Sequence, residues 1–137
     1  MNPQTGTVIY WDTSAVLSVL FQDEHSATAL RRIRRVDVHL LSTLAWAETY
    51  AVLARLKRER RSSLIPAAHE VLTTGPWRRL NAVPNFDIVE SLSLAWPLRG
   101  ADLWHLAAAK TLQFELPELT LLTFDRRLAD AAKAEGL

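Results

Sequence analysis

Four acidic residues occupy positions from which their carboxylates could share one site. Asp12 and Asp125 each follow a short apolar run typical of a buried β-strand, in VIYWDTSAV and LLTFDRR. Glu48 lies inside the predicted helix TLAWAETYAVLA, and Asp102 lies at the start of the predicted helix GADLWHLAAA. A divalent cation can neutralise such a cluster, and oxygen ligands favour Mg²⁺ or Mn²⁺ over Zn²⁺. A cation held there can activate a water and stabilise charge on a phosphate.

Each of these acids also has a simpler structural explanation. Asp12 and Asp125 could each cap the helix that follows, because aspartate is favoured at helix N-caps. Glu48 has apolar neighbours three and four positions away, so it projects from the apolar face of its helix, where an unpaired charge is costly. It could instead reach water at the edge of that face or pair with Arg55.

Asp102 and His105 lie one turn apart on the same predicted helix. The helix dipole favours an anion in the first turn, and Arg99 could pair with Asp102. The apolar residues that follow predict that this helix start faces the interior end of the sheet. His105 could orient Asp102, donate a proton to a leaving oxygen, or be a packed structural residue.

The elements that must position these side chains alternate between strands and helices. Apolar, β-branched runs predict strands at residues 8–11, 36–42, 77–83 and 119–124. Helical spacing predicts helices at residues 14–20, 26–35, 43–60, 64–73, 85–96, 99–112 and 125–137. This alternation indicates an α/β domain with a parallel sheet of four or five strands covered on both faces. Ligands of such sheets bind beyond the carboxyl ends of the strands.

Composition limits the other classes of protein. The chain has 137 residues, sixteen basic and fifteen acidic side chains, and no cysteine. We expect one domain over residues 1–137, without disulfides, thiolate metal sites or a cysteine nucleophile. The chain lacks a signal peptide pattern and an apolar run of membrane-spanning length, so we expect a cytoplasmic protein without membrane association.

In their order and spacing, DTSA, the mid-helix Glu48, GADLWHLAAA and LLTFDRRL resemble the four acidic motifs of PIN-domain ribonucleases. The chain length resembles that of the toxin half of VapBC toxin–antitoxin pairs. The resemblance implies a three-layer α/β/α fold and a Mg²⁺-dependent endoribonuclease, with Mn²⁺ as the alternative ion. It implies that Asp12 and Asp102 bind the ion most directly. Glu48 and Asp125 would act largely through coordinated water and hold a second ion once RNA brings its phosphate.

Further residues receive roles around this predicted centre. We expect the hydroxyls of Ser14 and Thr123 to orient carboxylates or waters. Basic residues cluster at 31–35 and 55–61, and a solvated helix end is the ordinary explanation for such clusters. If they border the acidic cleft, they can hold the RNA backbone, because phosphate contacts supply most sequence-independent affinity. The predicted RNA-binding residues are Arg55, Arg58, Arg61 and Arg126.

The resemblance also implies partners and leaves alternatives open. It implies a VapB-type antitoxin and a homodimer, with Trp46 and Trp96 on helices near the dimer surface. A catalytically inactive PIN-like module that binds RNA or protein, or a housekeeping PIN nuclease, would carry similar motifs. An aspartyl-phosphate enzyme is disfavoured, because DTS lacks the second acid two positions on that haloacid dehalogenase-type phosphatases use.

Overall fold

The computed structural model describes residues 7–137. Within these residues the strands are β1 (Val8–Trp11), β2 (Val38–Ser42), β3 (Trp77–Leu80) and β4 (Thr120–Leu122). The helices are α1 (Thr13–Leu20), α2 (Ser26–Ile33), α3 (Thr43–Arg58), α4 (Ile65–Thr74), α5 (Phe86–Ala95), α6 (Gly100–Gln113) and α7 (Arg126–Ala134). Each predicted strand and helix is present, with ends that differ by a few residues.

The strands form one parallel sheet in the order β3-β2-β1-β4. Trp11, the last residue of β1, lies beside Leu41 of β2 and Leu122 of β4. Ser42, the last residue of β2, lies beside Leu80 of β3. The carboxyl ends of the four strands therefore align at one edge of the sheet, which we call the carboxyl edge.

Helices cover both faces of the sheet. Alternate side chains of β1 point to opposite faces, as strand geometry requires. Ile9 and Trp11 pack into the core formed with helices α1 to α4, while Val8 and Tyr10 pack on the face covered by α6. A further cluster joins α5, α6 and α7. The predicted three-layer α/β/α architecture with a parallel sheet is confirmed.

The acidic residues reach the carboxyl edge because helices begin there. Asp12 and Asp125 are the N-caps of α1 and α7, which follow directly on β1 and β4. Ser42 ends β2 and caps α3, so Glu48 lies in the first two turns of a 16-residue helix that runs back along the sheet. Within residues 7–137, each helix falls short of the length and apolar character that a membrane span requires.

Candidate active site

Asp12 is the most buried of the four predicted acids, with 2% of its surface exposed. Its Oδ1 accepts hydrogen bonds from the Ala15 amide at 2.8 Å and the Ser14 hydroxyl at 2.7 Å. Its Oδ2 accepts a hydrogen bond from the Thr123 hydroxyl at 2.5 Å. Asp12 does cap α1, and the same contacts hold its carboxylate in one orientation at the carboxyl edge.

Thr123 also connects two of the acids. Its hydroxyl donates to Asp12 and accepts from the backbone amide of Asp125 at 3.0 Å. The Ser14 hydroxyl lies 3.4 Å from the Thr123 hydroxyl and accepts from the Phe124 amide at 3.3 Å. The geometry thus places both predicted hydroxyls between β1 and β4, where they orient Asp12.

The four carboxylates influence each other electrostatically. Burial, together with a smaller effect of the nearby charge of Asp102, raises the pKa of Asp12 to about 6, against the effect of its three hydrogen bonds. Burial also raises the pKa of Asp102, and the charges of Asp125 and Glu48 add to the increase, while Arg99 opposes it. Asp12 therefore lies within electrostatic range of Asp102, and Asp102 lies within range of Asp125 and Glu48.

Glu48 is held by a chain of side chains that begins in the core. The Thr13 hydroxyl donates to Glu48 Oε1 at 2.5 Å. His105 Nε2 lies 3.2 Å from the Thr13 hydroxyl and 3.4 Å from Glu48 Oε1. On the other side of the ring, the Tyr10 hydroxyl lies 2.7 Å from His105 Nδ1. Glu48 keeps 37% of its side chain exposed, so one end of this chain faces solvent.

One arrangement of the protons in this chain fits the contacts. Burial raises the pKa of the Tyr10 phenol, so the phenol keeps its proton and donates it to Nδ1 of His105. Burial lowers the pKa of His105, while Glu48 raises it. A neutral imidazole with its proton on Nε2 then donates towards Thr13 and Glu48. The imidazole is therefore directed at Thr13 and Glu48, whereas the sequence had left open whether it orients Asp102, donates a proton or packs as a structural residue.

Tyr10 and Thr13 contact this part of the candidate site, and the sequence analysis did not single them out. Tyr10 lies two positions before Asp12, and strand alternation gives residues two apart the same side of a sheet. Thr13 lies within the DTSA motif itself. These positions were the available signal, but the contacts depend on α3 and α6, whose placement the sequence does not specify.

Asp102 and Asp125 face a second part of the same edge. They line a cleft of about 320 Å³ together with Arg99, Arg126 and Arg127. Asp125 also caps α7 by accepting the Leu128 amide at 2.9 Å. Arg126 therefore lies beside Asp102 and Asp125, and its contact with RNA stays a prediction. Arg99 and Arg127 join it, and their position next to acidic motifs was the signal that could have identified them.

The other predicted RNA-binding residues lie away from the acids. Because α3 rises about 1.5 Å per residue, Arg58 lies about 15 Å beyond Glu48 along the helix axis. Arg55 Nε is 3.9 Å from Glu59 Oε1, so Arg55 pairs with Glu59 and not with Glu48. Arg61 lines a separate cleft at that end of the molecule. The structure does not bring Arg55, Arg58 and Arg61 to the acidic cluster, and their contact with RNA stays a prediction.

The acids suit an oxygen-liganded cation in chemical type without forming a closed cage. Within residues 7–137, no three acidic or histidine side chains are close enough together to enclose an ion. Mg²⁺ keeps several waters and is usually held by one or two carboxylates and a substrate phosphate. An open cluster of carboxylates, in which neighbouring charges raise the pKa of Asp12 and Asp102, fits that mode of binding.

Comparisons of sequence identify the family. The PIN domain family model matches residues 9–134. Ribonuclease VapC35 of Mycobacterium tuberculosis is 31% identical over 134 residues, which cover 95% of this chain and 93% of that protein. Ribonuclease VapC49 of the same organism is 33% identical over 136 residues, which cover 94% of this chain and 92% of that protein.

A solved structure agrees with the fold. The crystal structure of Mycobacterium tuberculosis VapC20, a toxin that cleaves the sarcin-ricin loop, superposes with a TM-score of 0.56. The match covers 90% of this chain and 94% of VapC20, at 19% sequence identity. The likeness in fold and the identity to ribonucleases over most of the chain support one assignment. This chain belongs to the PIN-domain family and is similar to the VapC ribonucleases.

Proposed function

We propose that this protein is a metal-dependent endoribonuclease whose acidic site is formed by Asp12, Glu48, Asp102 and Asp125. What supports the proposal is the position of these acids along the carboxyl edge, where burial and the charges of neighbouring acids raise the pKa of Asp12 and Asp102. A cation would relieve that repulsion. Homology to proteins named ribonucleases gives the reaction class.

The chain's own residues would have distinct tasks in this reaction. The four carboxylates would hold Mg²⁺ or Mn²⁺, which would supply water activation and charge neutralisation at the phosphate. Ser14 and Thr123 would fix the orientation of Asp12, and Thr13 and His105 that of Glu48.

Arginines at the edge would bind the RNA. Arg99, Arg126 and Arg127 lie in the cleft with Asp102 and Asp125, where their charges could hold phosphates that the acids alone would repel. Arg55, Arg58 and Arg61 would act only on RNA that extends along α3, about 10 Å or more from Glu48 along the helix.

The biological role we propose is that of the toxin in a type II toxin–antitoxin pair. The support is similarity to VapC ribonucleases over most of the chain. The proposal includes a single domain over residues 1–137, an RNA substrate and a VapB-type antitoxin as partner.

We also propose a homodimer. Helix α5 exposes 91% of Phe86 and 85% of Leu94, an apolar surface that association could cover. Trp46 packs against Tyr50, and Trp96 Nε1 donates to Glu135 Oε2 at 3.0 Å, so only the remaining surface of these tryptophans is free for a partner. Sedimentation of a dimer would support this proposal, and a monomer at high concentration would contradict it.

Cleavage of total RNA by the purified protein tests the proposed reaction. We expect discrete fragments with Mg²⁺ or Mn²⁺, and intact RNA with a chelator or with Asp102→Asn purified in the same way. The variant controls for contaminating nuclease. A folded wild type that binds a divalent cation and RNA without cutting would identify an inactive binding module instead. Discrete cleavage by a protein that binds no antitoxin would favour a housekeeping nuclease.

A further inference from the structure

A second cleft opens at the carboxyl edge, on the side of β1 away from β4. Its volume is about 330 Å³, within the range of about 300–1,000 Å³ for small-ligand sites. Its lining includes Ser42, Thr43, Trp46, Arg79 and Asn81. Trp11 and Leu41 are register partners on neighbouring strands, which lie about 5 Å apart. Asp12 and Ser42 are the residues that directly follow them. The cleft therefore lies next to Asp12.

One wall of this cleft is a tryptophan with a cation on its face. The guanidinium carbon of Arg79 lies 5.1 Å from the centroid of the Trp46 ring. Trp46 is half-buried and packs against Tyr50 at a centroid distance of 5.0 Å, which fixes its ring. Arg79 is exposed, and among residues 7–137 no carboxylate lies within ion-pair distance of it. The cleft thus combines a rigid aromatic surface with an unneutralised positive charge.

Polar groups able to bond to a planar ligand surround this pair. Thr43 and Asn81 are exposed, and they supply a hydroxyl and an amide with both donors and an acceptor. Leu41 and Leu80 add apolar surface. A phosphate would use only the cation, whereas an unpaired nucleobase could use the aromatic face, the guanidinium plane and the edge donors and acceptors.

We propose that this cleft binds one unpaired nucleobase of the RNA, belonging to a nucleotide beside the phosphate at the acidic cluster. The inference rests on the proposed ribonuclease function and adds to it a subsite for sequence preference. The base stacks with the Trp46–Arg79 pair, while Asn81 and Thr43 bond to its edge. RNA would cross the carboxyl edge from the Asp102–Asp125 cleft, past Asp12, to Trp46.

Strand β3 supplies a matched control. Arg78 and Arg79 are adjacent and exposed, and strand alternation directs them to opposite faces of the sheet. Arg79 pairs in register with Leu41, on the face covered by α3, and Arg78 pairs with Leu40, on the face covered by α6. Arg79→Ala and Arg78→Ala therefore remove the same charge, but only Arg79→Ala alters the cleft.

The test measures binding of two fluorescein-labelled RNAs by anisotropy. One is a short single-stranded RNA, and the other has the same backbone with abasic riboses in place of its nucleotides. Binding is measured in the Asp102→Asn background with a chelator, so that cleavage does not interfere. We expect the base-containing RNA to bind more tightly. Arg79→Ala and Trp46→Leu each reduce this preference about tenfold, within the range for loss of one base–aromatic stack, while Arg78→Ala leaves it unchanged.

The outcomes separate this subsite from the nuclease itself. Equal affinity for the two RNAs, or a preference that Arg79→Ala leaves intact in a folded protein, overturns the subsite even if the wild type cleaves RNA. A preference that responds to Arg79→Ala and not to Arg78→Ala supports the subsite, and it does so even if the wild type cuts no RNA. Arg79 is exposed, so its variant provides the test if Trp46→Leu impairs folding.

Discussion

The hydroxyl of Thr13 donates to Glu48 across 2.5 Å and so connects the residue after the first acid to the acid on α3. This bond joins α1 and α3 through side chains that lie 35 positions apart in sequence. His105, on α6, approaches the same two groups. The orientation of Glu48 therefore depends on three elements that meet at the carboxyl edge.

Removing this hydroxyl should slow the reaction more than it destabilises the protein. Thr13→Val keeps the shape of the side chain but removes the hydroxyl that donates to Glu48, and we expect the cleavage rate at saturating Mg²⁺ to fall about tenfold, since misplaced catalytic groups are costly. Thr13→Ser keeps the hydroxyl and should retain most of the rate. Single-turnover kinetics measure both variants. A Thr13→Val protein that cleaves at the wild-type rate would show that Glu48 needs no such orientation.

Tyr10 and His105 should contribute to stability as a pair. Both are buried, and loss of either partner leaves a buried polar atom unsatisfied, at a cost of about 1–3 kcal/mol. Tyr10→Phe and His105→Leu should each lower the free energy of unfolding by about that amount. The double variant should lose less free energy of unfolding than the two single variants lose together. The second substitution removes the polar atom that the first one leaves unsatisfied. Urea denaturation measures the cycle, and strictly additive losses would contradict the proposed coupling.

The stability of the protein should depend on pH through the ionisation of the buried Asp12. Its folded pKa of about 6 exceeds the ordinary value of about 3.9, so the native protein binds this proton more tightly than the unfolded chain does. The stabilisation of the folded protein by this proton is fully present below pH 4 and is lost as the pH rises to about 6. The free energy of unfolding falls by about 2–3 kcal/mol over this range.

Asp12→Asn is the control for this pH dependence. Without the ionisable group, the decline between pH 4 and pH 6 should become shallower than in the wild type. Both proteins are unfolded by urea with a chelator present, so that cations do not hold the carboxylate in its charged form. Identical pH profiles would mean that Asp12 does not titrate with a raised pKa.

A divalent cation should stabilise the folded protein. A ligand that binds only the native state at about one hundred times its Kd adds about 2.7 kcal/mol. We expect the melting temperature of the wild type to rise with Mg²⁺ or Mn²⁺ concentration, and to rise less below pH 6, where protons compete for Asp12. Asp12→Asn should show a smaller rise. A melting temperature unaffected by either ion in the wild type would argue against the metal site.

The fold was predictable because its strands are short apolar runs separated by helical spacing. The ends of the strands depended on their neighbours. Residues 81–83 were predicted to extend β3, but β2 turns into α3 after Ser42, so no strand remains beside them after Leu80. Residues 36–37 were predicted to begin β2, but β2 begins at Val38. Val38 pairs with Val8, the first residue of β1, so residues 36–37 have no β1 residue to pair with.

The site was predictable to the extent that its residues mark the ends of local elements. The sequence identified Asp12 and Asp125 from the strands before them and Asp102 from its helix start, and the structure brings these to one edge. It could not identify the Tyr10–His105–Thr13–Glu48 chain, because that chain depends on how α3 and α6 pack across the sheet. The sequence also could not show that Arg58 lies far from the acids, because that distance depends on the direction of α3.

The most direct test of the acidic site compares two aspartates that differ in position. Asp102→Asn removes a carboxylate from the proposed metal site, whereas Asp130→Asn removes one from an exposed position on α7. Cleavage of an RNA substrate is measured for both, with Mg²⁺ and matched purification. The account predicts that Asp102→Asn abolishes cleavage and that Asp130→Asn cleaves like the wild type. Cleavage by Asp102→Asn at the wild-type rate would contradict the proposal that these acids form a ribonuclease centre.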